Sequence, residues 1–334
     1  MKKTLILFAA AILFILTAFS GCVNSEEQYQ AMIDTSLADS ETTAIASGTV
    51  NEKIISDSLT YTNLNSDASV KEVKEILTKA NIPSKSIDTV FDWIADFNAA
   101  MKNCPSFTLI GDFTTIDKNT VDYGDYYPMS TEWYKNAGKD YDDILCRIAA
   151  FELNRENISV KNRILKENFD CWDENDSWLF SDGTIIFGEE TAEGRIRYRP
   201  HPLLNWEDDV ISDYFTLFDP VEIIGGCGER EMFEAIKKYW NGKGVSFGEE
   251  KYSLITLWTQ YKDVTAVSHA AVLIETDNGY LLFEKTNPQS PYSAARFSSI
   301  DDIKRYLYDM LELDYSKYDL DIGTYIILKN DELL

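Results

Sequence analysis

The strongest fold signal in the chain is a hairpin in its C-terminal third. Residues Thr265–Glu275 form an apolar run that predicts a strand. The sequence Asp277-Asn278-Gly279 that follows is typical of a tight turn between antiparallel strands. Tyr280–Lys285 then predicts the returning strand, and Gly323–Lys329 a last strand of the same sheet.

The region before this hairpin shows helical spacing of apolar residues instead. A helix is predicted to begin at Asp67 and to end before Ile82-Pro83, and a second runs from about Ser86 to Met101. Further helices are predicted from Asp142 or Asp143 to about Asn154, from Arg230 to Trp240 and, behind a capping box, from Ser299 to Leu311. The fold class is therefore α+β, with N-terminal helices packed on a C-terminal antiparallel sheet.

The first 21 residues have the three-part order of a secretory signal. A positive start precedes the apolar run Leu5–Ala18, which is too short to span a bilayer. Phe19-Ser20-Gly21 then leads into Cys22, and this junction resembles the lipobox of bacterial and some archaeal lipoproteins, with Phe19 in place of the usual aliphatic residue. The resemblance implies removal of residues 1–21 and a lipid on Cys22 that anchors the protein on the extracytoplasmic face of the cell membrane. A plain secreted protein, or an uncleaved anchor, is the alternative.

Composition limits the partners and divides the remainder of the chain. The formal net charge of −25 repels nucleic acid, so DNA and RNA are excluded as partners. Residues 22–50, rich in Ser, Thr, Ala and acidic side chains, are predicted to be a flexible tether, and residues 51–334 a single α+β domain. No cofactor or metal is expected, because the chain has no CxxC pair and residues 173–176 lack the glycine and distal glutamate of a calcium loop.

Three short stretches carry the residue types of cysteine nucleophilic catalysis. Cys146 falls in the first turn of a predicted helix that an aspartate would cap, where unpaired backbone N–H groups favour a thiolate. His269 opens the apolar strand and can take the thiol proton, while Glu284 or Asn287 at the end of the returning strand can fix its tautomer. The only other histidine, His201, is predicted to lie in a rigid surface turn.

This order and layout resemble the papain-like superfamily, which includes transglutaminase-like and bacterial cell-wall peptidase families. The resemblance covers roughly residues 140–155 and 265–290 and implies a papain-like fold. The roles it implies are Cys146 as nucleophile, His269 as base, and Glu284 or Asn287 as the orienting group.

The register of the hairpin decides which residue lies beside the histidine. A three-residue turn at Asp277–Gly279 would pair His269 with Asn287. A two-residue turn at Asn278-Gly279 would put Glu284 on the face of His269 but four positions along, so that a bulge or strong twist would be needed to bring the two together.

The mature chain also resembles an uncharacterised family of bacterial lipoproteins, domain of unknown function family 4300. The resemblance spans about residues 59–330 and implies one family domain without implying an activity. The residues that carry it are Tyr61–Leu64, Cys146–Phe151, His269–Ile274, Glu284–Pro288 and Pro291-Tyr292.

Two hypotheses for function follow. The first is an extracytoplasmic lipoprotein with a cysteine hydrolase or acyl-transfer site that acts on a peptide or amide, for which a cell-wall peptide is the natural substrate class. The second is a non-catalytic binding or adaptor lipoprotein with a degenerate papain-like fold. In the second, Cys146 would be buried core, bridged to Cys104 or Cys171, or more than about 6 Å from His269, beyond hydrogen-bond reach. Aligning residues 139–143 with the Gly-Asp-Cys-Asp-Asp run of transglutaminase-like domains would likewise put Tyr141 at the nucleophile position and leave the site inactive.

Overall fold

Three long neighbouring strands form the middle of the sheet. Strands β8 (Tyr252–Tyr261), β9 (Val264–Thr276) and β10 (Gly279–Lys285) follow one another along the chain and pair antiparallel. Most side chains of β8 and β9 are buried, which explains why their sequences are apolar runs rather than alternating patterns. In the computed structural model, which describes residues 58–117, 126–165, 178–190, 196–286, 288–316 and 323–334, these strands belong to a nine-stranded sheet.

Several predicted features lie outside the described residues. They are the signal segment 1–21 and the tether 22–50 with Cys22, together with Cys171, residues 173–176 and Asn287. The predictions made for them stay predictions. The described residues fall within a compact unit that spans Ile55–Leu334.

Short strands extend the sheet on both sides of the central three. The order is β13-β12-β8-β9-β10-β11-β1-β2, with β6 paired to the start of β9, and all of these pairs are antiparallel. The added strands are β1 (Leu59–Thr62), β2 (Thr114–Ile116), β6 (Val221–Glu222), β11 (Tyr292–Phe297), β12 (Tyr325–Lys329) and β13 (Glu332–Leu333). Two separate ladders pair β3 (Ile158–Ser159) with β7 (Ser246–Phe247) and β4 (Glu189–Glu190) with β5 (Ile196–Tyr198).

Eight α-helices accompany the strands in the described residues. They are α1 (Asp67–Lys79), α2 (Ser84–Ala100), α3 (Tyr126–Ser130), α4 (Cys146–Asn154), α5 (Phe180–Phe187), α6 (Asp208–Phe218), α7 (Glu229–Lys243) and α8 (Ile300–Ser316). A π-helical turn (Thr131–Asn136) follows α3, and a 3₁₀ turn (Arg155–Asn157) follows α4. Helix α1 begins as its sequence requires, because the Ser66 side chain accepts a hydrogen bond from the backbone N–H of Ser69 at 3.1 Å.

The two faces of the sheet bury different helices. On β9, Val272 and Ile274 face the larger core, which contains the buried sides of α1, α2, α4, α6 and α7. The alternate residues Ala271 and Leu273 face a smaller core, where Leu307 and other apolar residues of α8 pack. The period of two along a strand therefore decides which core each residue enters.

The hairpin between β9 and β10 adopts neither of the two registers considered from sequence. Gly279 pairs with Thr276, so Asp277 and Asn278 alone form the turn. The ladder then continues to Glu284 opposite Ala271. Ala271 is two residues from His269 and lies on the same face of β9. Glu284 is therefore on the face of His269 and two positions from the residue opposite it, so the two side chains can meet without a bulge between β9 and β10.

The α+β class is confirmed by this mixture of helices and a large antiparallel sheet. The division into helices first and sheet second is too simple, because β1 and β2 enter the sheet from the N-terminal side of the domain and α8 lies near the C-terminus. Among the described residues, no helix combines the length and apolar character that crossing a bilayer requires.

The local backbone geometry at two glycines, one after the hairpin turn and one in a helix, predicts opposite effects of substitution by alanine. Gly279 has a φ of +126°, and a Cβ there would lie 2.3 Å from the carbonyl oxygen of Phe297, so Gly279→Ala should lower the free energy of unfolding by at least about 1–3 kcal/mol. Gly242 lies in α7, and a Cβ at this position would have no atom within 4 Å, so Gly242→Ala should raise it by about 0.5–1 kcal/mol. Denaturant unfolding of both variants checks the pair, and a Gly279→Ala variant as stable as the unsubstituted protein would contradict the close approach of Gly279 to Phe297.

Candidate functional site

Cys146 is the first residue of helix α4. Leu145 before it is extended, with φ −102° and ψ 173°, and no side chain caps the helix. The predicted cap by Asp142 or Asp143 is therefore wrong. Leu145 is extended immediately before the helix, and the two aspartate side chains contact Tyr134 and Lys285 instead. The free N–H groups of the first turn still lie beside Cys146, and they favour negative charge on its sulfur.

His269 lies where β9 is locally distorted. Leu257 of β8 pairs with His269 but Trp258 pairs with Val267, so Ser268 is an extra residue that forms a β-bulge. Bulges reorient the side chains next to them and recur beside active sites. The imidazole is 6% exposed, and its Nε2 lies 2.9 Å from Oε2 of Glu284.

The second ring nitrogen of His269 serves Cys146. A hydrogen bond between the two side chains contributes to the pKa shifts of both. Since Nε2 contacts Glu284, Nδ1 is the ring nitrogen that remains available to Cys146. The structure thus brings Cys146, His269 and Glu284 into one hydrogen-bonded chain, whereas Asn287 lies outside the described residues.

The electrostatics of this chain favour a thiolate and an imidazolium. Burial, the largest influence, raises the pKa of Cys146, but the hydrogen bond and charge of His269, the charge of Arg147 and a backbone hydrogen bond from Ala270 together bring it below its ordinary value. Burial alone would lower the pKa of His269, yet its bonds to Cys146 and Glu284 raise it to about 10. Both shifts favour the proton on His269 rather than on Cys146.

Arg147, the next residue after the cysteine, ties the start of α4 to the strand of the histidine. Its Nη1 donates to the carbonyl of Val267 at 2.8 Å, and its Nε donates to Oδ1 of Asp182 at 2.9 Å. A second guanidinium nitrogen pairs with the other oxygen of Asp182, and Tyr214 also donates to this carboxylate. Asp182 is fully buried in α5, so the arginine is held from two sides.

A buried ion pair joins the segment before Cys146 to the strand of Glu284. Nζ of Lys285 lies 2.7 Å from Oδ2 of Asp143, and both side chains are completely buried. The ammonium group also donates to the carbonyl of Ser290 at 2.7 Å and lies 4.0 and 4.1 Å from the ring centroids of Phe97 and Tyr292. Burial lowers the pKa of Lys285 to about 8, with Asp143 opposing the shift.

Glu284 and Lys285 contact different cores because adjacent strand residues point to opposite faces of the sheet. Glu284 contacts His269 and Tyr306, and Tyr306 belongs to the smaller core. Lys285 contacts the rings of Phe97 and Tyr292, which belong to the larger core. One dipeptide of β10 therefore supports both the histidine and the segment that precedes the cysteine.

The predicted surface position of His201 is wrong. Its side chain is fully buried, with Trp93 and Tyr141 packed edge-on against the ring at centroid distances of 6.4 and 5.0 Å. Its Nε2 lies 3.7 Å from Oδ1 of Asp143. The rigid turn was recognisable from its prolines, but the aromatic residues that enclose it come from distant parts of the sequence.

The other acidic and aromatic residues before Cys146 also have defined partners. Asp142 is fully buried and accepts a hydrogen bond from Tyr134, and burial raises its pKa to about 7. Tyr141 lies ahead of the helix and donates to Oδ2 of Asp96 at 2.8 Å, so it does not occupy the position at which Cys146 begins α4.

Sequence reasoning identified the cysteine, histidine and glutamate but missed the groups that hold them. Asp182 and Tyr306 carried no functional signal in the sequence, and Arg147 and Lys285 appeared only as members of the stretches that resemble the family. Cys146 and Cys227 are free thiols, and Cys104 forms no disulfide. In the part of the chain that the structure describes, no cluster of three or more His, Cys, Asp or Glu residues could hold a metal ion.

Comparison with known protein families identifies the family of this chain. A family model described as domain of unknown function (DUF4300) matches residues 60–334. The chain belongs to this family. No curated protein and no solved structure matches it. The matched region contains Cys146, His269 and Glu284, so the hydrogen-bonded chain lies within this chain's DUF4300 domain.

The buried ion pair predicts a large loss of stability when one partner is removed. Lys285→Met should lower the free energy of unfolding by about 3–5 kcal/mol, because Asp143 would be left buried without its ion-pair partner. The control is Lys329→Met, which breaks the more exposed Lys329–Glu275 pair at 3.1 Å and should cost no more than about 1 kcal/mol. Chemical denaturation compares the two, and equal losses would contradict the role given to the buried pair.

Proposed function

We propose that this DUF4300 protein is a membrane-anchored extracytoplasmic lipoprotein whose domain is a cysteine hydrolase or acyltransferase with a papain-like layout, acting on a peptide or amide bond. The observation that carries the catalytic part is the position of His269, hydrogen-bonded to Cys146 on one side and to Glu284 on the other. This is the arrangement of nucleophile, base and orienting group that thiol catalysis requires.

The proposed reaction has two halves, acylation of Cys146 and deacylation, and Cys146 and His269 act in both. The Cys146 thiolate adds to the carbonyl carbon, and the backbone N–H groups at the start of α4 stabilise the developing oxyanion. The C–N bond breaks as His269 gives its proton to the leaving amine, which leaves a thioester on Cys146. His269, now neutral, then takes a proton from water or from an acceptor amine. The water or amine attacks the thioester and releases the Cys146 thiolate, while the proton stays on the imidazole.

The remaining residues of the site supply orientation and charge. Glu284 holds His269 by Nε2 and stabilises the imidazolium. Arg147 adds positive charge beside the thiolate while Asp182 holds the guanidinium. A peptide of the cell wall is the substrate class that fits an anchored enzyme outside the cytoplasm.

A non-catalytic binding or adaptor lipoprotein is the second candidate. The burial of Cys146, which is 4% exposed, favours it, since a cysteine of this exposure is ordinary for a structural thiol. Against it stand the free thiol and the hydrogen bond to His269, because this candidate expects a disulfide or a separation beyond hydrogen-bond reach.

The pH dependence of alkylation separates the two candidates. The lowered pKa of Cys146 and the raised pKa of His269 both favour the thiolate, so the hydrolase candidate expects the rate of reaction of Cys146 with iodoacetamide to change little between about pH 6.5 and 8. Cys227 provides the comparison within the same protein, because burial raises its pKa and its rate should rise about tenfold per pH unit.

Peptide mapping by mass spectrometry assigns the label to each cysteine in the reduced protein. Cys146→Ser should remove the pH-independent label and leave that on Cys227 unchanged. If no label depends on Cys146, or if its rate follows that of Cys227, the hydrolase proposal is wrong.

The anchoring part of the proposal has its own test. Full-length protein made in a bacterial host should begin at Cys22 and carry a lipid on that residue, as measured by mass spectrometry of its N-terminal peptide. Cys22→Ser should abolish the lipid mass, whereas Cys227→Ser should leave it in place. A mature N-terminus elsewhere, or an unmodified Cys22, would contradict the lipoprotein assignment without bearing on the site.

A further inference from the structure

Glu284 is held by more than the histidine it contacts. Its carboxylate is 3% exposed, and its two oxygens have different partners. Oε2 lies 2.9 Å from Nε2 of His269, and Oε1 accepts a hydrogen bond of 2.5 Å from the hydroxyl of Tyr306. The carboxylate is therefore fixed at both ends.

Tyr306 reaches this position from the opposite side of the fold to the nucleophile. It lies on α8 and packs in the smaller core, whereas Cys146 and α4 belong to the larger core. Its ring is 3% exposed and lies 5.3 Å, centroid to centroid, from Phe297 of β11. Neighbouring residues of α8, among them Ile303 and Leu307, are fully buried against the same face of the sheet, so the hydroxyl is held rigidly.

We propose that Tyr306 is a positioning residue of the cysteine site, which orients the Glu284 carboxylate toward His269 and so keeps the imidazolium–thiolate pair intact. This inference rests on the proposed function, and it extends the hydrogen-bonded chain to four residues, Cys146–His269–Glu284–Tyr306. A carboxylate that accepts a hydroxyl hydrogen bond on one oxygen keeps one rotamer, which holds its other oxygen toward the imidazole. Tyr306 touches none of the reacting atoms, so it acts only through Glu284.

The substitution Tyr306→Phe isolates the hydroxyl, because the ring and its packing against Phe297 remain. Without the hydroxyl, the His269 ring should lose its proton at lower pH, and alkylation of Cys146 near pH 6.5 should slow by roughly tenfold, the scale typical of a lost outer hydrogen bond. Tyr308→Phe is the matched control on the same helix, since Tyr308 packs against Tyr325 rather than near Glu284. Tyr308→Phe should change neither the pH at which His269 loses its proton nor the alkylation rate of Cys146.

NMR titration of the histidine rings reads the effect directly, because the chain has only two histidines to assign. A lower His269 midpoint in Tyr306→Phe, with no change in Tyr308→Phe, supports the proposal. The double variant with Glu284→Gln completes the test, because Tyr306→Phe should have no further effect once the carboxylate is gone.

Two results would overturn the inference. One is an unchanged His269 midpoint in Tyr306→Phe, and the other is an equal decrease in the presence and absence of Glu284→Gln. Failure of the proposed function looks different, since Cys146 would then resist alkylation in the unsubstituted protein while the midpoint of His269 still responded to Tyr306→Phe.

Discussion

The buried ion pair between Asp143 and Lys285 is the interaction on which the rest of the site depends. Two opposite charges with no solvent exposure are stable only when each satisfies the other, so the segment before α4 and the end of β10 cannot separate without a large penalty. Cys146 lies three residues after the aspartate, and Glu284 lies one residue before the lysine. The pair therefore fixes the distance between nucleophile and orienting acid even though neither of its members takes part in the proposed chemistry.

A second constraint comes from the strand of the histidine. Arg147 donates to the carbonyl of Val267, two residues before His269, and so connects the start of α4 to β9 as the ion pair connects the preceding segment to β10. The bulge at Ser268 lies between Val267 and His269. Each residue of the site thus has a neighbour in sequence that is anchored to a different element, which limits the motion of the three side chains relative to one another.

The site buries several ionisable side chains away from water, which is energetically unfavourable. Asp143, Lys285, Asp182 and Glu284 are all nearly or fully buried. Such groups gain little stability in comparison with apolar residues of similar size, so their presence is better explained by the geometry they impose. Burial by itself opposes charge on Cys146 and His269, and the hydrogen bonds and charges of their neighbours, strengthened by the low polarity, shift the balance toward an imidazolium and a thiolate.

Prediction from sequence succeeded where the signal was local. The spacing of apolar residues identified α1, α2, α7 and the hairpin of β9 and β10 to within a few residues. It failed where the decision depended on distant residues. The cap of α4 was assigned to an aspartate because aspartates commonly cap helices, but a lysine more than a hundred residues away takes Asp143. His201 was assigned to the surface because its turn is rich in proline, but Trp93 and Tyr141 enclose it.

The register of the hairpin shows the same limit for the site itself. The sequence Asp277-Asn278-Gly279 predicts a turn, but several turn lengths fit it, and each shift of one residue moves Glu284 to another position relative to His269. The sequence by itself determined the kinds of residue present, the order of a cysteine before a histidine and a glutamate, and the α+β class. Only the tertiary structure decided that the three residues meet, because their meeting depends on strand register, on a bulge and on buried charge pairs between residues far apart in the chain.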